Sequence, residues 1–123
     1  MIFKFLINTV KSFKFAFRGI PKAYRGQRNI KIQTFFAALA FLLSYLLHVS
    51  TTEFLILLII IFLVIILEMI NTSVERVCDL ISKDYNKDIK DIKDMTAGAV
   101  LLSAILSVIV GILIFSPYLW KFI

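Results

Sequence analysis

The sequence predicts an all-α integral membrane protein: an N-terminal amphipathic surface helix followed by three transmembrane helices. Three observations predict it. Hydrophobic residues make up 60% of the 123, and the mean hydropathy is +0.92, far more apolar surface than a soluble domain of this length needs. Several apolar runs approach the length that crosses a bilayer. The basic excess, a formal net charge of +6, lies largely beside those runs. That placement suits anionic lipid headgroups rather than nucleic acid. Residues 1–123 read as one domain. The single cysteine, Cys78, excludes an intrachain disulfide and reads as an inert small apolar residue.

Residues 1–28 contain the surface helix and its connection. Phe3, Leu6, Val10, Phe13, Phe17 and Ile20 recur at three and four, and Lys4, Lys11, Lys14, Arg18, Lys22 and Arg25 form a basic side. Such a helix settles among headgroups. Gly19 and Pro21 are expected to bend or end it. With charges every few residues and no uninterrupted apolar run, a cleaved signal peptide is not expected. The first span is placed at 30–49. Ser50 to Thr52 are expected to cap the second, at 52–82, with Glu53 favoured by the helix dipole. His48 reads as a plain interfacial residue. A cytoplasmic connection, 83–94, alternates in sign and reads as solvated. The third span, 95–116, carries Ala97, Gly98, Ala104, Ser107 and Gly111, which allow close helix contacts. Ser116 and Pro117 are expected to end it, and Tyr118, Trp120 and Lys121 to anchor it at an interface.

Orientation follows from the positive charges. Lys4, Lys11, Lys14, Arg18, Lys22, Arg25, Arg28 and Lys31 precede the first apolar run, whereas the turn near residue 50 has no Lys or Arg. Arg76, Lys83, Lys87, Lys90 and Lys93 cluster around the second connection. The N-terminus and that connection are therefore expected in the cytoplasm, where ATP is available.

The second span carries the chemistry. Fourteen residues, Phe54 to Leu67, have no charge or amide and lead directly into Glu68. As a helix they cover about 21 Å, most of a bilayer core of about 30 Å. Glu68, Asn71, Thr72, Glu75, Asp79 and Ser82 then share one helical face, with Ile70, Val74, Val77 and Leu80 opposite. Acidic groups at membrane depth point to function. Glu68 and Glu75 lie about 10 Å apart along the axis, too far for one ion but near enough to serve two ends of a reaction. Desolvated Glu68 suits a general base toward a lipid hydroxyl. Glu75, with Asp79 a turn on, is nearer water and suits Mg²⁺. Lys93 could neutralise phosphate charge. Periodicity alone leaves three readings open: an intersubunit hydrogen-bond network or an ion pair such as Glu75 with Arg28, a transport pathway, or an interfacial enzyme.

The run Glu68 to Asp79 closely resembles the E-x-x-N-[ST]-x-x-E-x-x-x-D signature of the small bacterial diacylglycerol kinase and undecaprenol kinase family. Lys93, Asp94, Met95, Thr96, Ala97, Gly98, Ala99, Val100 and Leu101 resemble its K-D-x-x-[AS]-[GA]-A-V-L segment. Phe13 to Ile20 and Arg28-Asn29 resemble its N-terminal region. The resemblance implies a homotrimer in the bacterial inner membrane, multi-pass, with composite active sites at the cytoplasmic face. It implies transfer of the ATP γ-phosphoryl group, with Mg²⁺, to a lipid alcohol. By the same resemblance Glu68 is the catalytic base and Asn71 positions it. Glu75 binds the metal, with Gln27 where the family has a glutamate. Lys93, Asp94, Asp84, Tyr85 and Asn86 lie at the nucleotide, with Asp79 and Thr72 in supporting positions. An amide at Gln27 can still ligate Mg²⁺ but carries no charge, so weaker metal affinity is expected. Gln33 also stands where relatives often carry an ionisable group. Arg28-Asn29 and the Ile114-Phe115 end of the third span look nearer to the relatives that act on undecaprenol, ahead of those that act on diacylglycerol. A divergent trimer that binds lipid without turnover is the further alternative.

Overall fold

The structure is a computed structural model that describes residues 1–123. It is all-helical: α1 (Ile2–Tyr24), α2 (Arg28–Leu47), α3 (Thr51–Ile81) and α4 (Lys87–Trp120). The last three are long and apolar enough to cross a membrane. At about 1.5 Å per residue, α3 and α4 exceed a 30 Å hydrocarbon core by several turns, so their charged ends project beyond it.

α1 continues through Pro21 to Tyr24 instead of ending near Gly19. Proline's fixed φ is helical, but it removes the hydrogen bond to the carbonyl of Phe17 and crowds that carbonyl, so the helix carries it at a cost. The chain then turns through Arg25, in an extended conformation, and Gly26, whose φ of 68° a side chain would oppose. Within the chain α1 buries only Ala23; Phe3, Leu6, Val10, Phe13, Phe17 and Ile20 are all exposed. α2 closes on His48, in the left-handed conformation (φ 55°), whose N–H reaches back to the carbonyls of Ser44 and Tyr45. The imidazole's residue therefore serves as a backbone C-cap.

α3 opens with a reciprocal capping box. Glu53 N–H donates to Ser50 Oγ, and Ser50 N–H donates to Glu53 Oε1, each at 3.1 Å. Tyr118 Oη–H donates to the same carboxylate oxygen and ties the far end of α4 to the start of α3. α4 begins eight residues before the expected span, so 87–94, expected as a connection, is helical, with most of its residues exposed. Asn86 Oδ1 accepts from the N–H groups of Asp88 and Ile89, and Lys90 pairs with Asp94 one turn later at 2.7 Å. Alternating charges that read as linker are thus i, i+4 partners on a capped helix. Pro117 lies inside α4 and does not end it.

α3 is the central element. It packs most extensively on α4 and then on α2, while α1 touches α2 and α3 near its C-terminal end. Its inner face runs Leu57, Ile60, Val64, then Glu68, Asn71, Thr72 and Cys78, all buried. Ile70, Val77 and Leu80 on the other side are exposed. Lipid tails solvate apolar side chains as well as a core does, so the interior is where polar groups gather. A Cβ at Gly98 or Gly111 would meet no atom within 4 Å. The close helix contact expected at these glycines is therefore not made within one chain.

Candidate active site

The site is built on the α3 face where the apolar run ends. Glu68 is 2% exposed and Thr72 1%. Asn71 is also buried, Glu75 half-buried and Asp79 exposed. One helical face thus descends from a sequestered carboxylate to one in water in three turns.

α2 contributes Gln33 opposite this face. Its Nε2 donates to Glu68 Oε2 across a long 3.5 Å, while its Oε1 is buried without a hydrogen-bond partner in the chain. Asn71 Nδ2 donates to Glu75 Oε1 at 3.1 Å. Asn71 Oδ1 and Thr72 Oγ1 are likewise buried and unpartnered. Unmade hydrogen bonds on buried groups cost about 1–3 kcal/mol each. Three of them on Gln33 and the Glu68–Glu75 face leave room for polar partners from outside the chain. Gln33 also lines an apolar cleft of about 310 Å³ between α2, α3 and α4, with Phe36, Ala40, Ile61, Ala104 and Gly111 among its walls. Long apolar clefts with few polar groups at one end suit amphipathic ligands.

Farther along, Lys93 Nζ donates to Asp79 Oδ1 at 2.7 Å and bridges α4 to α3. Asp79 beside it holds the Lys93 ammonium above the ordinary lysine range, and Asp94 does the same to Lys90; both lysines lie in the charged turns of α4 that precede its apolar run. Both pairs are exposed enough to exchange partners at little cost.

The structure therefore brings Glu68, Asn71, Thr72 and Glu75 together with Gln33, and joins Asp79 to Lys93. It does not join Glu75 to Arg28. Glu75 takes its hydrogen bond from Asn71 one turn before it, and the ion pairs formed are those of Lys90 and Lys93. Gln27 is the N-cap residue of α2, yet its side chain makes no capping bond. Asp84, Tyr85 and Asn86 are exposed in the turn before α4, with the Asn86 side chain engaged as its cap. No three His, Cys, Asp or Glu side chains converge on one point. Glu75 with the unpartnered Asn71 oxygen fits a hard cation that brings phosphate oxygens and water as its other ligands.

Arg76, which lies off the polar stripe, follows Glu75 and reaches the end of α1. Its guanidinium Nη2 donates to the carbonyls of Lys22 and Arg25, at 2.9 and 3.1 Å.

The profile described as prokaryotic diacylglycerol kinase matches residues 14–115. The chain belongs to that family. A diacylglycerol kinase of Synechocystis sp. is 41% identical over 105 residues, which are 85% of this chain and 60% of that relative. The chain thus spans less than two thirds of that relative's length. An undecaprenol kinase of Bacillus subtilis is 37% identical over 109 residues, 89% of both chains. The family match takes in all of α2 and α3, most of α4 and the second half of α1. It therefore includes every residue of the site.

Proposed function

We propose that the protein is a membrane lipid kinase that transfers the γ-phosphoryl group of ATP to a lipid alcohol, with undecaprenol as the substrate. The observation that carries this reading is the environment of Glu68. A carboxylate buried at 2% exposure meets Gln33 of α2 and shares its helix face with Asn71 and Thr72, each of the three with a buried polar atom unpartnered in the chain, and Gln33 lines an apolar cleft. The first part of a lipid's chain fits the cleft, and its hydroxyl would donate its one proton to Glu68 and accept from Thr72 Oγ1, leaving the Asn71 oxygen for the cation.

Glu68 then accepts the hydroxyl proton as the lipid oxygen attacks the γ-phosphorus and the bond to the ADP oxygen breaks. Asn71 holds Glu75 through its amide and so keeps the two carboxylates in register. Glu75 and Gln27 would hold Mg²⁺, which neutralises phosphate charge when bound. Lys93 would leave Asp79 for the phosphates, with Asp94 beside it and Asp84, Tyr85 and Asn86 near the nucleotide base and sugar. Thr72 and Asp79 support this set. The working assembly in this reading is a homotrimer with sites shared between neighbours, in the bacterial inner membrane, N-terminus and site cytoplasmic. The stripe of exposed Phe, Leu, Val and Ile on α1 is consistent with a helix lying on that surface.

Undecaprenol is favoured by the Bacillus relative, matched over 89% of its own length. Diacylglycerol is the second reading, favoured by the 41% identity to the Synechocystis relative. Purified protein in mixed micelles, given labelled ATP, Mg²⁺ and a panel of lipid alcohols, should label undecaprenol in preference to diacylglycerol. Labelling of diacylglycerol alone would reassign the substrate, and no labelled lipid from any alcohol would leave a non-catalytic lipid-binding module.

A further inference from the structure

The turn between α1 and α2 is held to the rest of the chain by very few contacts. α1 buries Ala23 alone, and Tyr24 Oη is hydrogen-bonded to Thr34 Oγ1 on α2 at 2.8 Å. The only hydrogen bonds joining this region to α3 are the two from Arg76 Nη2 to the carbonyls of Lys22 and Arg25. A helix C-terminus leaves its last carbonyls unpaired and partly negative, and a guanidinium offers two N–H bonds in a fixed plane. Arg76 therefore holds the last turn of α1 and its C-cap residue, the first of the turn, at once. The residue before it on α3 is Glu75, and two residues beyond Arg25 comes Gln27, whose side chain is uncommitted.

We propose that Arg76 is a positioning residue: by capping the end of α1 it holds the turn that carries Gln27 against α3 at the level of Glu75. The inference rests on the reading of Gln27 and Glu75 as metal ligands. An uncharged amide binds a hard cation weakly, so its contribution depends on being held in place. Gly26, with positive φ, adds no side chain that could stiffen the turn.

The test is Mn²⁺ binding, read by electron paramagnetic resonance on the full chain in detergent micelles with a non-hydrolysable ATP analogue. Gln27→Ala should weaken Mn²⁺ binding about tenfold, and Arg76→Ala should do the same through the turn, at the lower end of what partners of metal ligands contribute. The double variant should bind no more weakly than Gln27→Ala alone. Arg76→Lys, which keeps the charge but not the fork, should fall between wild type and Arg76→Ala, and it carries the test if Arg76→Ala does not assemble. If Gln27→Ala weakens binding while both Arg76 variants match wild type, the positioning role is wrong and the ligand assignment stands. Additive losses in the double variant also overturn it, because Arg76 would then act independently of Gln27. If Gln27→Ala itself binds as wild type, the ligand assignment fails and the inference falls with it.

Discussion

At the scale of single residues, burial divides labour along one helical face. Glu68 is sequestered, Glu75 half-buried and Asp79 exposed, so three acids of similar intrinsic chemistry face three different media. Gln27 is where charge is missing. Gln27→Glu should lower the Mg²⁺ concentration for half-maximal lipid phosphorylation several-fold, as expected when a neutral oxygen donor becomes a carboxylate. An unchanged Mg²⁺ dependence would remove residue 27 from the metal site. The acidic stripe itself was legible in the sequence, because steps of three and four put Glu68, Asn71, Thr72 and Glu75 on one face whatever surrounds them. Gln33 and Arg76 were not legible as its neighbours. Gln33 meets Glu68 from 35 positions away and Arg76 grips carbonyls more than 50 positions away, contacts that periodicity does not encode.

At the scale of elements, the spans were readable because apolar runs of bilayer length have few other fates, and the cap near Ser50 was readable because its spacing is local, whereas the reciprocal bond from Ser50 N–H to Glu53 was not foreseen. The start of α4 was misjudged for a physical reason. Charges at alternating sign suit solvent and helix alike, and the deciding feature is Asn86, which caps the backbone and recruits Lys90–Asp94 into a helical pair. The length of α3 and α4 carries Asp79 and Lys93 beyond the apolar run of each helix, whereas Glu68 directly follows the apolar run of α3. The cleft between α2, α3 and α4 gives a prediction at this scale. Ala104→Phe fills it with an aromatic ring from the α4 side. Turnover of a long polyprenol should fall about 5- to 160-fold relative to a short-chain alcohol, because overpacking an apolar site costs about 1–3 kcal/mol. Equal losses on long and short alcohols would mean that the lipid chain lies elsewhere.

At the scale of the whole molecule, one chain leaves much unpaired: the apolar stripe of α1, the open surroundings of Gly98 and Gly111, and three buried polar atoms at Glu68. Shared sites in a trimer would account for this. If Glu68 and Lys93 act across a subunit boundary, mixing Glu68→Gln chains with Lys93→Met chains before assembly should restore lipid phosphorylation to a sizeable fraction of wild type. Each variant alone should remain inactive, and mixtures no more active than their components would place a complete site in each chain. The central claim is that a carboxylate buried at membrane depth takes the proton from a lipid hydroxyl. Its most direct test is labelled phosphate transfer from ATP to undecaprenol by wild type and Glu68→Gln, side by side at equal assembly. Wild type should form the labelled polyprenyl phosphate and Glu68→Gln should be slower by about 10²–10⁴-fold, the usual worth of a general base. Undiminished turnover by Glu68→Gln would contradict the account.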